Sequence, residues 1–140
     1  MGYKETAKLD SLYNTPSTVA VYTFEQCLDW VIRQGGVEEM EKRSAIKSKL
    51  IYECIDQSNG FYRSPVEPSV RSRVNVVFRI KDGVQELEEK FVGESKAAGL
   101  IGLKGHRSVG GLRASLFNAV SIEDTQKLAQ FMKDFQKKYN

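Results

Sequence analysis

The sequence predicts an α+β fold in which helices cover one face of a small antiparallel or mixed sheet. Apolar residues recur at helical spacing as far as Gly60 and then alternate with polar residues, which indicates helices followed by strands. The predicted elements follow the order ααββαββα, and the strands are few and short. The length of 140 residues suits one hydrophobic core and nearly excludes a self-contained large cofactor enzyme.

Two helices are predicted at the start of the chain. Asn14 and Thr15 precede Pro16, which suits the first turn of a helix that should stop at the glycine pair 35–36. Its apolar stripe predicts one buried face, made of Ala20, Phe24, Cys27, Leu28 and Val31. A second helix, predicted over 38–58, has the same apolar spacing at Ile46, Leu50, Ile51, Cys54 and Ile55. The glycine pair between the two helices indicates a helical hairpin.

Strands are predicted after Gly60. Apolar residues alternate over 74–80, which is typical of a strand buried mainly on one face, at Val74, Val76, Phe78 and Ile80. Phe61 and Tyr62 are the expected partner strand. Pro65 and Pro68 lie between the two strands and predict a loop there, because proline does not fit regular ladder pairing.

The second half of the chain is predicted to alternate between helix and strand. A turn at 81–83 leads into a third helix, whose inner face consists of Val84, Leu87, Phe91 and Ala98. Short strands over 100–103 and 112–117 flank a loop at 105–111. Ser121 is the expected N-cap of the last helix, with the carboxylate of Asp124 at the third helical position. The inner face of that helix consists of Leu128, Phe131, Met132 and Phe135.

Composition and charge set limits on the class of protein. A net charge of +3 is too small to indicate a nucleic-acid partner by itself. Cys27 and Cys54 have no metal or redox spacing and are interpreted as buried, reduced thiols of a cytoplasmic protein, with a disulfide as the alternative. No apolar run approaches the roughly 20 residues that cross a bilayer, so no membrane segment is predicted.

The segment between Glu94 and Glu123 has the composition of an anion-binding site. It contains no acidic residue and five of the eleven glycines, which allow backbone N–H groups to approach a ligand. Its basic residues and the only histidine of the chain are Lys96, Lys104, His106, Arg107 and Arg113. A solvated glycine-rich turn between two strands is the open alternative. A single histidine without a carboxylate cluster predicts no metal site.

Two groups of arginines are candidates for binding. Arg113 points to the opposite face of its predicted strand from Leu112 and Ala114, so the strand directs it either to solvent or into a cleft. A second group lies close to Phe61, Tyr62 and Phe78 and consists of Arg63, Arg71, Arg73 and Arg79. RNA binding is conceivable there, but a solvated sheet edge is favoured, and no nucleic-acid partner is predicted.

The run from Gly105 to Val120, GHRSVGGLRASLFNAV, resembles the C-terminal signature of the phosphoserine aminotransferases. Further matching segments lie along essentially the whole chain, among them Ser11–Pro16, Gly35-Gly36, Gly60–Tyr62 and Ser121–Asp124. These enzymes are fold-type I, class V transaminases that use pyridoxal 5'-phosphate in serine biosynthesis. They exchange an amino group between O-phosphoserine and 2-oxoglutarate, which gives 3-phosphohydroxypyruvate and glutamate.

The resemblance implies roles for five residues. Arg113 would bind the substrate α-carboxylate, and His106 and Arg107 would line the pocket for the phosphate or the distal carboxylate. Asn14 and Thr15 would hydrogen-bond the cofactor phosphate of the neighbouring subunit in a homodimer.

The lysine that forms the Schiff base in this family belongs to a large domain that would precede residue 1. Lys4 and Lys8 lack its sequence context. The resemblance therefore implies a remnant of the large cofactor domain over 1–16, the small C-terminal domain over 17–140, and no activity of this chain alone. The alternative is a non-catalytic module, derived from that domain, that binds small anions or assembles with another chain.

Overall fold

A computed structural model describes residues 3–140 of the chain. The helices are α1 (Tyr3–Lys8), α2 (Thr18–Arg33), α3 (Gly36–Asp56), α4 (Gln85–Ala97) and α5 (Ile122–Tyr139), with a short 3-10 helix at Pro68–Val70. The strands are β1 (Tyr62–Arg63), β2 (Asn75–Ile80) and β3 (Leu112–Ser115). The α+β class predicted from the sequence is confirmed. The chain divides between Met40 and Glu41 into two compact units.

In the first unit, α2 has no buried residue, so the predicted buried face of this helix is wrong. Phe24 is 63% and Leu28 46% exposed, and Cys27 is an exposed free thiol rather than a buried one. Amphipathic spacing determines which side chains share a face, but it does not supply a surface that covers them. The helix also begins later than predicted: Ser17 is its N-cap rather than the Asn14–Thr15 pair, and the Ser17 Oγ accepts from the Ala20 N–H at 3.4 Å.

The second unit contains an antiparallel sheet in the order β1-β2-β3. Tyr62 pairs with Ile80, and Val77 lies opposite Arg113. The predicted strand over 100–103 is absent, and only an isolated bridge joins Lys104 to Leu112. The cause is local, because the glycines at 99 and 102 adopt φ values of 80° and 78°, which an extended strand does not allow.

One face of this sheet packs against α3, α4 and α5. The predicted alternation of β2 is confirmed, since Val76, Phe78 and Ile80 are buried. Aromatic rings in edge-to-face contacts fill the centre of the core and belong to Phe61, Tyr62, Phe78, Phe91 and Phe135. The inner faces predicted for the second and third helices include residues at the ends of each face that the structure leaves exposed, namely Ile46, Val84 and Ala98. Cys54 is buried and free, as predicted.

Tyr62 provides a test of this core. Its hydroxyl donates to the Met132 carbonyl at 2.8 Å, and burial raises its pKa above the ordinary value of 10.0. Because ionisation is favoured only after unfolding, we expect stability to be complete below pH 10.0 and to fall as the pH rises above it. Tyr62→Phe should cost about 1 kcal/mol at neutral pH and make the alkaline decline shallower. Urea unfolding from pH 7 to 11 measures both effects, with Tyr22→Phe on exposed α2 as the control. An unchanged alkaline slope in Tyr62→Phe would contradict the assignment.

Among residues 3–140, no helix is both long enough and apolar enough to span a membrane.

Candidate functional site

Arg113 lies on the outer face of the sheet, which is the face opposite the core. Its neighbours Leu112 and Ala114 are buried in the core, so alternation directs Arg113 away from it. The Arg113 backbone N–H donates to the Leu103 carbonyl at 2.9 Å. Its side-chain Nε is buried and has no hydrogen-bond partner within the described residues. A buried guanidinium N–H without an acceptor is costly, so this atom fits a site that an anion completes.

The segment Gly105–Gly111, here called the glycine loop, is closed by its own backbone. The Gly105 N–H donates to the Gly111 carbonyl at 2.8 Å, and the N–H groups of Val109 and Gly110 both donate to the His106 carbonyl. A Cβ at Gly105 would lie 2.2 Å from the Gly110 carbonyl oxygen. The neck of the loop can therefore close in this form only with glycine at position 105.

A cavity of about 510 Å³ lies between the glycine loop and α4. The loop contributes His106 and Arg107 to its wall, and Lys104 lies beside them. Two carboxylates, Glu88 and Glu89, face them from α4. Two of the three predicted substrate residues thus line one cavity, while Arg113 lies on the outer face of the sheet and outside the cavity wall. The described residues contain no cluster of three or more side chains that could hold a metal ion.

His106 and Arg107 are both exposed, and their positions depend on the loop. His106 Nδ1 lies 2.6 Å from Ser108 Oγ, which fixes the ring relative to the turn. One imidazole nitrogen is used inside the loop, so Nε2 is the nitrogen available to a ligand. A loop with a basic residue beside an oriented imidazole can bind a phosphate or a carboxylate.

Lys47 of α3 anchors the segment that follows β3. The lysine is 2% exposed, and its Nζ donates to the carbonyls of Leu116, Phe117 and Val120 at 3.2, 2.7 and 2.9 Å. Burial lowers the pKa of this ammonium, and the nearby charge of Arg43 lowers it further. This anchor is not evident from the sequence, because helical spacing does not reveal a lysine that turns inward.

The second arginine group is paired with carboxylates. The ion pairs are Arg63–Asp82, Arg71–Asp56, Arg73–Glu41 and Arg79–Glu88. The aromatic residues between them are buried rather than displayed for stacking. Arg79 differs from the other three because it also lines the cavity, whereas a solvated sheet edge was predicted for the whole group. Arg79 alternates with the buried residues Phe78 and Ile80 in β2, so its side chain leaves the core on the side of the glycines that end the loop. This alternation could have indicated its place at the cavity.

Asn14 and Thr15 lie in the first unit, in the loop between α1 and α2. Both residues are exposed, and neither side chain has a hydrogen bond among residues 3–140. An amide and a hydroxyl with open donors fit the oxygens of a phosphate group.

Comparisons with known proteins identify the family of this chain. The profile of the Aminotransferase class-V family matches residues 1–128. Phosphoserine aminotransferase from Bacillus subtilis is 52% identical over 134 residues, which are 96% of this chain and 37% of that protein. The Drosophila melanogaster phosphoserine aminotransferase is 50% identical over 139 residues, with coverages of 98% and 38%.

Two solved structures show the same fold. Phosphoserine aminotransferase from Bacillus circulans subsp. alkalophilus superimposes with a TM-score of 0.89 at 45% identity, over 99% of this chain and 38% of that one. A pyridoxal-phosphate-bound phosphoserine aminotransferase from Trichomonas vaginalis gives 0.83 at 38% identity, over 94% and 37%.

The chain therefore belongs to the class-V aminotransferase family. It spans 37–38% of the length of these relatives, all of which are phosphoserine aminotransferases.

Proposed function

We propose that this chain is the C-terminal part of a phosphoserine aminotransferase. The whole enzyme would convert O-phospho-L-serine and 2-oxoglutarate to 3-phosphohydroxypyruvate and glutamate in serine biosynthesis, in the cytoplasm. The observation that carries the proposal is the unpartnered buried guanidinium nitrogen of Arg113, on a sheet whose glycine loop presents His106 and Arg107. These groups suit a ligand with two anionic ends.

The two ends of O-phosphoserine require different partners. Arg113 offers a planar fork of N–H donors, which binds a carboxylate in a bidentate manner. His106 and Arg107 would bind the phosphate, or the distal carboxylate of glutamate or 2-oxoglutarate. Attachment at two points orients the Cα–H bond of the substrate, and such orientation accelerates reaction by removing rotational freedom in advance.

Pyridoxal phosphate, when bound, would supply the electron sink for loss of the Cα proton. Asn14 and Thr15, with their open donors, would hydrogen-bond the phosphate of the cofactor held by the partner subunit in a homodimer. On this proposal residues 1–16 are a remnant of the large cofactor domain, and 17–140 are the small domain. The lysine that binds the cofactor would precede residue 1, and this chain alone would be inactive.

The role of Arg113 is tested with two ligands that share a phosphate. Arg113→Lys should weaken binding of O-phospho-L-serine by about tenfold, because a lysine cannot form the bidentate pair. Binding of phosphoethanolamine, which lacks the carboxylate, should not change. NMR titration of the 140-residue chain measures both, with the single histidine as reporter. Arg63→Lys, at an exposed ion pair on the same sheet, is the matched control. Equal losses for the two ligands would contradict carboxylate recognition.

A non-catalytic module that assembles with a second chain is the alternative function. The apolar exposed surface of α2 favours it, since exposed apolar patches promote association. Its most exposed members are Val19, Val21, Tyr22, Phe24 and Ile32. Transaminase assays of the full-length gene product separate the two functions. Turnover of O-phospho-L-serine with 2-oxoglutarate supports the enzyme, and its absence in a folded, cofactor-supplied protein supports the module.

A further inference from the structure

Arg79 connects β2 to α4 through an ion pair that is largely shielded from water. Its Nε donates to Glu88 Oε1 at 2.7 Å, and the same oxygen lies 3.4 Å from the Ile80 backbone N–H. The Glu88 side chain is 10% exposed, whereas the Arg79 side chain is 35% exposed. A buried carboxylate with a charged donor is costly to separate, so the pair holds the arginine in one orientation.

The Arg79 side chain passes between two glycines. A Cβ at Gly83 would lie 2.5 Å from Arg79 Nη2, and a Cβ at Gly111 would lie 2.6 Å from Arg79 Cδ. Both glycines have positive φ, of 101° and 72°. Arg79 therefore occupies the space that a side chain at either position would need, and it packs directly against the backbone at the end of the glycine loop.

Arg79 is linked to His106 and Arg107 through the backbone of the glycine loop. Gly111 accepts the hydrogen bond from Gly105 that closes the loop, and Gly105 immediately precedes His106 and Arg107. A shift of the Arg79 side chain would thus displace the neck of the loop. The ion pair of Arg79, its packing on Gly111 and the hydrogen bond of Gly111 with Gly105 thus connect the Glu88 carboxylate to the loop that holds His106 and Arg107.

We propose that Arg79, held by Glu88, is a positioning residue that sets the glycine loop so that His106 and Arg107 can bind a phosphate group. This inference rests on the proposed function, because it concerns the same anion site. Arg79 is neutralised by Glu88 and acts through the loop, whereas a direct ligand would bind phosphate with its own guanidinium.

The test measures binding of inorganic phosphate and O-phospho-L-serine to the 140-residue chain by NMR, with His106 as reporter. Arg79→Met and Glu88→Gln should each weaken phosphate binding by about fivefold to tenfold, while Arg63→Met should leave it unchanged. The double variant should bind no more weakly than Arg79→Met, since both changes break one linkage. Arg79→Lys, which keeps the stem over Gly111 and a charge for Glu88, should restore part of the affinity.

Several results would overturn the inference. A purely structural role would lower the melting temperature of Arg79→Met without changing phosphate affinity in the folded chain. Direct ligation by Arg79 would make Glu88→Gln bind phosphate more tightly, because the neutralising carboxylate is gone. If Arg79→Met fails to fold, Glu88→Gln alone decides between weaker and unchanged binding. Absence of any His106 response in the wild-type chain would contradict the proposed function, and this inference with it. Wild-type binding with unchanged variants would overturn only the inference.

Discussion

Replacement of Lys47 by methionine is expected to lower the free energy of unfolding by about 3–5 kcal/mol. Methionine fills a similar volume but removes the ammonium that donates to the carbonyls of Leu116, Phe117 and Val120. Those carbonyls lie around a side chain that is only 2% exposed, so water cannot readily replace all three bonds. The loss should exceed the gain from burying an uncharged side chain.

Urea denaturation followed by circular dichroism measures this loss. The matched control is Lys49→Met, two residues along the same helix, where the side chain is 74% exposed and lies 3.7 Å from Glu53. That change should stay within about 0.5 kcal/mol. A loss below about 1 kcal/mol for Lys47→Met would mean that the three carbonyls find other donors, and the proposed anchoring of the segment after β3 would be wrong.

Gly105→Ala is expected to remove the anion site with a smaller effect on the rest of the fold. The new Cβ would lie 2.2 Å from the Gly110 carbonyl oxygen and 2.7 Å from that of Gly111. Both contacts are with backbone, so the neck of the glycine loop must open and its closing hydrogen bond must break. We expect at least about a tenfold loss of affinity for O-phospho-L-serine, with about 1–3 kcal/mol of destabilisation.

The control for this change is Gly93→Ala, another glycine-to-alanine substitution in the same unit. Apart from its chain neighbours and the backbone of its own helix, no atom lies within 4 Å of the Cβ position at Gly93, which is inside α4. Alanine should therefore stabilise the helix by roughly 0.5–1 kcal/mol and leave ligand affinity unchanged. Wild-type affinity in Gly105→Ala would show that the loop opens without cost and that its closed form is not required for binding.

Much of the second unit could be predicted from local sequence. The alternation of β2, the buried positions Ile51 and Cys54 of α3 and the N-cap at Ser121 are confirmed. Each depends on periodicity or on a hydrogen bond between residues three apart, and such relations are contained in a short segment. The strand over 100–103 could not be predicted well, because an apolar run does not reveal glycine conformations.

The candidate site is predictable only in part. The glycine loop and its basic residues follow from composition, and their link to aminotransferases follows from an extended motif. The pairing of Arg79 with Glu88 does not, because the two residues lie on different elements and meet only when α4 packs beside β2. The exposed α2 shows the same limit. An apolar stripe indicates that a helix face can be buried, but it does not show which other element packs against that face.

The sequence by itself determined the family, the α+β class and the residues with the chemistry to bind two anionic groups. Only the tertiary structure decided which of those residues share a cavity, which arginines are neutralised by carboxylates and why glycine is required at 105 and 111. Hydrophobic periodicity, helix caps and sequence motifs depend on residues that are close together along the chain. Burial, ion pairing and close backbone approach arise between residues far apart in sequence, so they are established only when the chain has folded.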